Sequence, residues 1–356
     1  MNGFDLSDAS DIRLGSNTIN AIYYGSTLLW PSKRDYSKEY LTIEALSDST
    51  VLFNKNSDNI SRTIQYSKDK NTWNTISFVH PSGDITESSP VSLLAGEKLY
   101  LKGNNSSYGS TDGGFCRINI HKGSGNIYGN IMSLIYGDNF YGQTVLDTPY
   151  SFRRLFNAAS HNNIIDASNL ILPATTLSNM CYDGLFARCE QLTGAPELPA
   201  TTLARYCYME MFNGCTSLTS APKLPTTTLA TGCYSGMFAG CTSLTIAPEL
   251  PAKTLPPGSS TNGCYDNMFN GCTSLTSAPE LPATVLTSYA YWSMFVNCKS
   301  LRYIKCLATD IDALWCTRKW LEGTSSTGTF VKNPNMSNWP TGDSGIPSGW
   351  TVQDAS

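Results

Sequence analysis

The hydrophobic pattern of the chain changes character three times. In residues 11–31, DIRLGSNTINAIYYGSTLLWP, Ile19, Ala21 and Tyr23 alternate with polar neighbours, Gly25 punctuates, and Leu28, Leu29 and Trp30 run into Pro31. A period of two broken by a glycine predicts a short β-hairpin over residues 1–36. Its apolar content is more than so short a segment can bury alone, so it is expected to dock on another domain or chain, with Ile22, Tyr23, Leu29 and Trp30 as the docking residues. From 37 to 146 the pattern becomes short alternating runs (YLTIEAL, TVLFN, RTIQYS, WNTISFV, KLYLKG, FCRINIHKG) separated by turn-rich loops such as GNNSSYGSTDGG. No helical periodicity competes there, and an antiparallel β-sandwich is expected.

Between 147 and 305 the chain repeats itself. LPxTxL or a near copy begins at 172, 198, 224, 250 and 281, so the spacing is 26 three times and then 31. The longer interval holds PPGSS at 256–260, and because the period resumes afterwards the insertion is expected to leave a regular stack as a loop. Residues 306–356 drop the period. Their Trp, Phe and Val residues suit a cap over the end of a solenoid, whose edge would otherwise expose apolar side chains and unpaired backbone.

Aligning the copies puts Phe186, Phe212, Phe238, Phe269 and Phe295 in one column, Cys189, Cys215, Cys241, Cys272 and Cys298 in a second, and Leu192, Leu218, Leu244, Leu275 and Leu301 in a third. Within one copy Cys207, Met211 and Cys215 stand at i, i+4 and i+8, the spacing of one face of a short helix, which Gly214 and Thr216 would help to end. The cysteines lack the CxxC pairs and nearby histidines of a metal site. Stacked coils could bring them within disulfide range, but a thiol repeated in every copy reads as a ladder of small buried hydrophobes. Glu197, Lys223, Glu249 and Glu280 form a further column, in which the lysine between glutamates predicts a surface charge ladder rather than a calcium or catalytic site.

The chain has 356 residues, is 41% hydrophobic and only 15% charged, and carries a net charge of −4. It can therefore bury sizeable cores, and nothing in the charge balance points to nucleic acid. The start, MNGFDLSDASDIRLG, lacks a basic and then apolar leader, and no apolar run of membrane-spanning length occurs, so neither signal-directed export nor membrane insertion is expected. Twelve cysteines in such a chain are expected to be reduced and buried.

MFNGCTSLTSAPKLPTTTL and its copies resemble the bacterial BspA-like leucine-rich repeats, over about 155 residues. The resemblance implies a curved solenoid of short helices and strands, and a role in adhesion or another kind of binding. Two copies depart from the pattern: Ala159 occupies the cysteine column of the first, and Ala290 replaces the first cysteine of the last. The flanks, DIRLGSNTINAIYYGSTLLWP, the stretch from GNNSSYGSTDGG to GDNF, and GTFVKNPNMSNWPTGDSGIPSGWTV, resemble modules of structural and appendage proteins of tailed phages, crAss-like gut phages among them.

Catalytic signals are weak. His80, His121 and His161 stand in unrelated contexts, GSGNIYGN lacks the Lys and Ser/Thr of a phosphate loop, and Asp112 and Asp138 are an arbitrary carboxylate pair. Thr201, Thr202, Thr227 and Thr228, with the column Tyr182, Tyr208, Tyr234 and Tyr265, could supply binding contacts, although the tyrosines serve equally well as core. The expectation is therefore a protein without enzymatic activity, cofactor or metal. As a homo-oligomeric part of a virion assembled in the host cytoplasm, on head or tail, it would contact other virion proteins and a host-surface glycan or protein. The alternative is a bacterial cell-surface adhesin.

Overall fold

The computed structural model describes residues 35–54, 62–78, 90–111, 114–158, 162–259 and 262–356, together with the backbone alone of 55–56, 86–87 and four short strands between 12 and 30. Those four strands make two hairpins where one was expected. β1 (Ile12–Leu14) pairs with β2 (Asn17–Ile19), and β3 (Ile22–Tyr24) pairs with β4 (Thr27–Trp30) so that Ile22 stands opposite Trp30.

The described chain is mainly β. The alternating segments become β5 (Leu41–Ala45), β6 (Ser49–Asn56), β7 (Arg62–Ser67), β8 (Asn74–Phe78), β9 (Thr86–Glu87), β10 (Val91–Leu93), β11 (Lys98–Lys102), β12 (Phe115–Lys122) and β13 (Gly125–Asn130). One antiparallel sheet runs β10-β6-β12, with β9 also on β6. A larger one runs β13-β5-β11-β7-β8. Inward residues of both, among them Val51, Phe53 and Ile118 of the first and Ile43, Ile64 and Leu101 of the second, share one core. On its free side β13 takes two parallel partners from further along the chain, β14 (Ile164–Asp166) and β15 (Leu170–Ile171). The larger sheet thus continues into the first of the repeating units, and a single apolar cluster extends from Leu41 to Trp350.

In the repeating region the expected helix does not form. Residues 206–215 trace consecutive four-residue turns, with Tyr206, Glu210 and Gly214 at φ of 57°, 53° and 74°. Within each turn alternate amides bond backwards, Met209 N–H to the Tyr206 carbonyl and Met211 N–H to that of Tyr208. The amides between them bond to the next unit, Tyr208 to Cys233, Glu210 to Ser235 and Phe212 to Met237, at 2.9–3.1 Å. An α-helix commits its interior amides to its own chain and has none left for a neighbour. A left-handed residue at every fourth position releases half of them, and the units are stitched together by backbone. A four-residue turn also keeps i, i+4 and i+8 on one side, so Cys207, Met211 and Cys215 are all fully buried as the spacing predicts.

The register survives the insertion at 256–260. The same amides one unit on, Tyr234, Gly236 and Phe238, bond to Cys264, Asp266 and Met268, five residues further along than in the other copies. The stitching also runs past 305, where the sequence period is lost: Tyr289, Ser293 and Asn297 donate to Leu314, Arg318 and Glu322. Three parallel strands, β16 (Tyr303–Cys306), β17 (Gly328–Lys332) and β18 (Trp350–Asp354), lie at this end.

Two columns of rings fill the interior. Phe156, Phe186, Phe212, Phe238, Phe269 and Phe295 stack with centroids 5.5–5.8 Å apart. A second column runs Tyr108, Phe152, Tyr182, Tyr208, Tyr234, Tyr265, Tyr291, Trp320 and Trp339, with centroids 5.4–6.3 Å apart, linking the sandwich-side core to the last segment. These are offset stacks, the favourable arrangement for parallel rings. All twelve cysteines are buried and unbridged. One column has a hydrogen-bonding role: the thiols of Cys189, Cys215, Cys241, Cys272 and Cys298 donate to the carbonyls of Phe156, Phe186, Phe212, Phe238 and Phe269 at 3.0–3.2 Å.

Candidate binding surface

Because each unit repeats its turns in register, the left-handed positions form three columns, in which Arg188, Asn297, Trp315 and Gly323 are exposed while Tyr206, Tyr289 and Ser293 are buried. The columns are Tyr150, Met180, Tyr206, Gly232, Tyr289 and Trp315; Arg154, Gly184, Glu210, Gly236, Asn267, Ser293 and Lys319; and Arg188, Gly214, Gly240, Gly271, Asn297 and Gly323. Glycine and asparagine occupy this backbone region at low cost, so the large side chains are the exceptions and mark where the surface carries chemistry.

At the end nearest the sandwich the chemistry is ionic. Asp183, fully buried, accepts from Arg153 Nε at 2.7 Å, and Arg154 Nη2 lies 3.4 Å from Glu210. Burial pushes the Asp183 carboxyl up, against the pull of Arg153 and Arg154. Burial, and then Asp183, raise Glu210 in the same way. Gly184 is required here. A Cβ on it would stand 2.9 Å from Arg154 Cγ, so the arginine passes over a residue without a side chain to reach Glu210 in the following unit.

At the other end the chemistry is aromatic. Tyr289 packs edge-on against Trp292 and Trp315, with centroids 5.6 and 5.4 Å away, and the Arg318 guanidinium sits 4.6 Å from the Trp315 ring. Leu314 and Trp315 are largely exposed. Around the side of the stack the Pro-x-Leu-Pro segments enclose shallow grooves, one of about 390 Å³ lined by Pro248, Glu249, Pro251, Lys253, Pro279 and Pro282.

The residues singled out from sequence fall into distinct environments. Thr201, Thr202, Thr227 and Thr228 are exposed in register. Tyr182, Tyr208, Tyr234 and Tyr265 are core, at 0–2% exposure, so the contact role weighed for them does not hold. Glu197, Lys223, Glu249 and Glu280 are exposed, and Glu280 pairs with Lys305 at 3.0 Å. His121 is exposed, whereas His80, His161, Asp112 and Ala159 lie outside the described residues. Asp138 is held by Lys102 at 2.8 Å and Tyr40 at 2.7 Å, and those two partners keep its carboxyl below the usual range. The docking residues Ile22, Tyr23, Leu29 and Trp30 are placed by their paired backbone, and their side chains lie outside the described residues. Among the described residues no three His, Cys, Asp or Glu side chains gather as a metal site would require, and no helix is long and apolar enough to cross a membrane.

Sequence reasoning overlooked Arg154, Arg188 and Trp315. A signal for Arg188 existed: in the aligned copies it stands where Gly214, Gly240 and Gly271 follow. No protein-family model matches this chain, and no curated protein or solved structure matches it.

Proposed function

We propose that this chain is a non-enzymatic binding protein built on a leucine-rich-repeat solenoid of the BspA-like kind, and that it serves as a structural or appendage protein of a phage particle. The observation that carries the binding role is the set of exposed in-register rows, Thr201, Thr202, Thr227 and Thr228 with Glu197, Lys223, Glu249 and Glu280, on a backbone-stitched stack. Rigid, repeated presentation of Thr and charged side chains suits recognition of an extended surface. The virion setting is supported by the resemblance of the flanking segments to tailed-phage modules. In this reading residues 1–36 dock the chain to other virion proteins or to further copies of itself, and the stack faces a host-surface glycan or protein.

Proteomics of purified particles tests the setting, and a particle-incorporation assay on a chain lacking residues 1–36 tests the docking. The chain is expected to sediment with virions and the truncated chain to be lost from them. Recovery with the bacterial envelope instead would favour the adhesin reading, and unchanged incorporation of the truncated chain would remove the docking role.

A further inference from the structure

Where β12 meets the first unit, the amide of Ile118 donates to the Leu155 carbonyl at 2.7 Å, which sets Arg117 beside Arg154. The two guanidinium carbons lie 4.5 and 5.6 Å from the centre of one ring, that of the buried Phe115. Arg188 is close enough to act electrostatically on Arg117 and on Glu210. Among the described residues, four arginines, counting Arg153, therefore share this corner with two carboxylates, Asp183 and Glu210.

The charges do not balance locally. Arg153 is taken by Asp183, and Arg154 reaches Glu210 through one arm at 3.4 Å while its Nε is buried without a partner. The Nε of Arg117 is likewise buried and unpartnered, and among the described residues the charged groups that bear on Arg117 are the like-charged Arg154 and Arg188. Burial, with those two neighbours, pulls its guanidinium down to about 10. A partly desolvated guanidinium beside a second one, with a third within electrostatic reach, is costly, because buried charge is ordinarily paired. The same arrangement, held in place by Phe115 and by passage over Gly184, is preorganised for a negatively charged guest. A guanidinium presents a planar fork that matches an oxyanion bidentately.

We propose that Arg117, Arg154 and Arg188 form a binding site for an oxyanion, a carboxylate, sulfate or phosphate group carried by the ligand of this surface. Arg117 supplies the charge that has no counterion among the described residues, Arg154 the arm not engaged by Glu210, and the exposed Arg188 the outer wall. The guest would do for Arg117 what Asp183 does for Arg153.

The test is calorimetric titration and thermal melting of the full chain at pH 7 with sodium phosphate, sodium sulfate and sodium glucuronate, against sodium chloride at matched ionic strength and against neutral glucose. Saturable binding of at least one oxyanion, with a raised melting temperature, is expected. A response to glucuronate identifies an acidic sugar as the source, and a response confined to phosphate or sulfate identifies an inorganic ester. Arg117→Met should weaken that binding at least tenfold yet melt no lower than the wild type in chloride, since it removes an uncompensated charge. Arg188→Gln, at an exposed position, should weaken it several-fold and serves if the first variant does not fold. Arg205→Met, away from the cluster, should leave it unchanged. Absence of a saturable response to all three anions, or an equal response in wild type, R117M and R188Q, would overturn the site.

Discussion

Raising the pH should unfold this protein abruptly. Ten thiols, those of Cys181, Cys189, Cys207, Cys215, Cys233, Cys241, Cys264, Cys272, Cys298 and Cys306, are fully buried. Burial raises every one of them above the ordinary thiol value of 9.0, with Cys207, Cys298 and Cys306 pushed up to about 12. A group whose pKa is raised by folding stabilises the fold fully below its unfolded value, and that contribution is lost as pH rises toward the folded one. One pH unit above the unfolded value each thiol has cost about 1.4 kcal/mol, so the ten together withdraw about 14 kcal/mol between pH 8 and pH 10 if the stack opens as one. That is comparable to the whole stability of an ordinary domain, about 5–15 kcal/mol. Urea titrations under reducing conditions at pH 7, 8, 9 and 10, followed by circular dichroism, measure the loss. Thiolate absorbance near 240 nm reports when ionisation occurs. The two signals should change together. A stability loss below about 3 kcal/mol by pH 10 would refute the reasoning, as would thiolate appearing near pH 9 with the circular dichroism intact.

Three further outcomes follow from particular contacts. Phe212→Ala opens a gap in the middle of the phenylalanine column and should cost about 3–5 kcal/mol in urea denaturation. Gly232→Ala places a Cβ 2.0 Å from Tyr206 Cε1 at a φ of +64°, so it should lower the melting temperature and break the Tyr206–Ser259 hydrogen bond; Ser293→Gly, at a φ of 52°, relieves the opposite strain and should stabilise by about 1 kcal/mol. Asp266, raised from 3.8 to about 6 by burial, contributes stability that is fully present below pH 4 and lost as pH rises to 6. Stability should fall by roughly 2 kcal/mol over that window, and Asp266→Asn should flatten the profile.

Much of the repeat was legible from residues alone. The 26-residue period, the Phe, Cys and Leu columns and their burial follow from one requirement: a unit that stacks on copies of itself must turn the same side chains inward each time. The strands of the two antiparallel sheets were legible for a similar reason, since alternation reports a sheet with one face inward. Local conformation within the unit was not. Cys207, Met211 and Cys215 satisfy an α-helix and a train of four-residue turns equally well, and Tyr206 and Glu210 carry no propensity of their own for a left-handed backbone. What decides between them is the neighbouring unit, which supplies the carbonyls that accept the released amides.

The same division applies to the surface. Sequence by itself determined the repeat length, the residues that face inward and the presence of an insertion that leaves the stack intact, because these depend on hydrophobic pattern. Tertiary structure alone decided that the stitching continues past residue 305, where Trp315, Lys319 and Gly323 keep the left-handed positions without keeping the motif. It also decided that Arg117 of strand β12 comes to share the Phe115 ring with Arg154 of the repeats, with Arg188 within electrostatic reach. Charges distant in sequence interact through space, and their balance is set only when strand and stack are brought edge to edge.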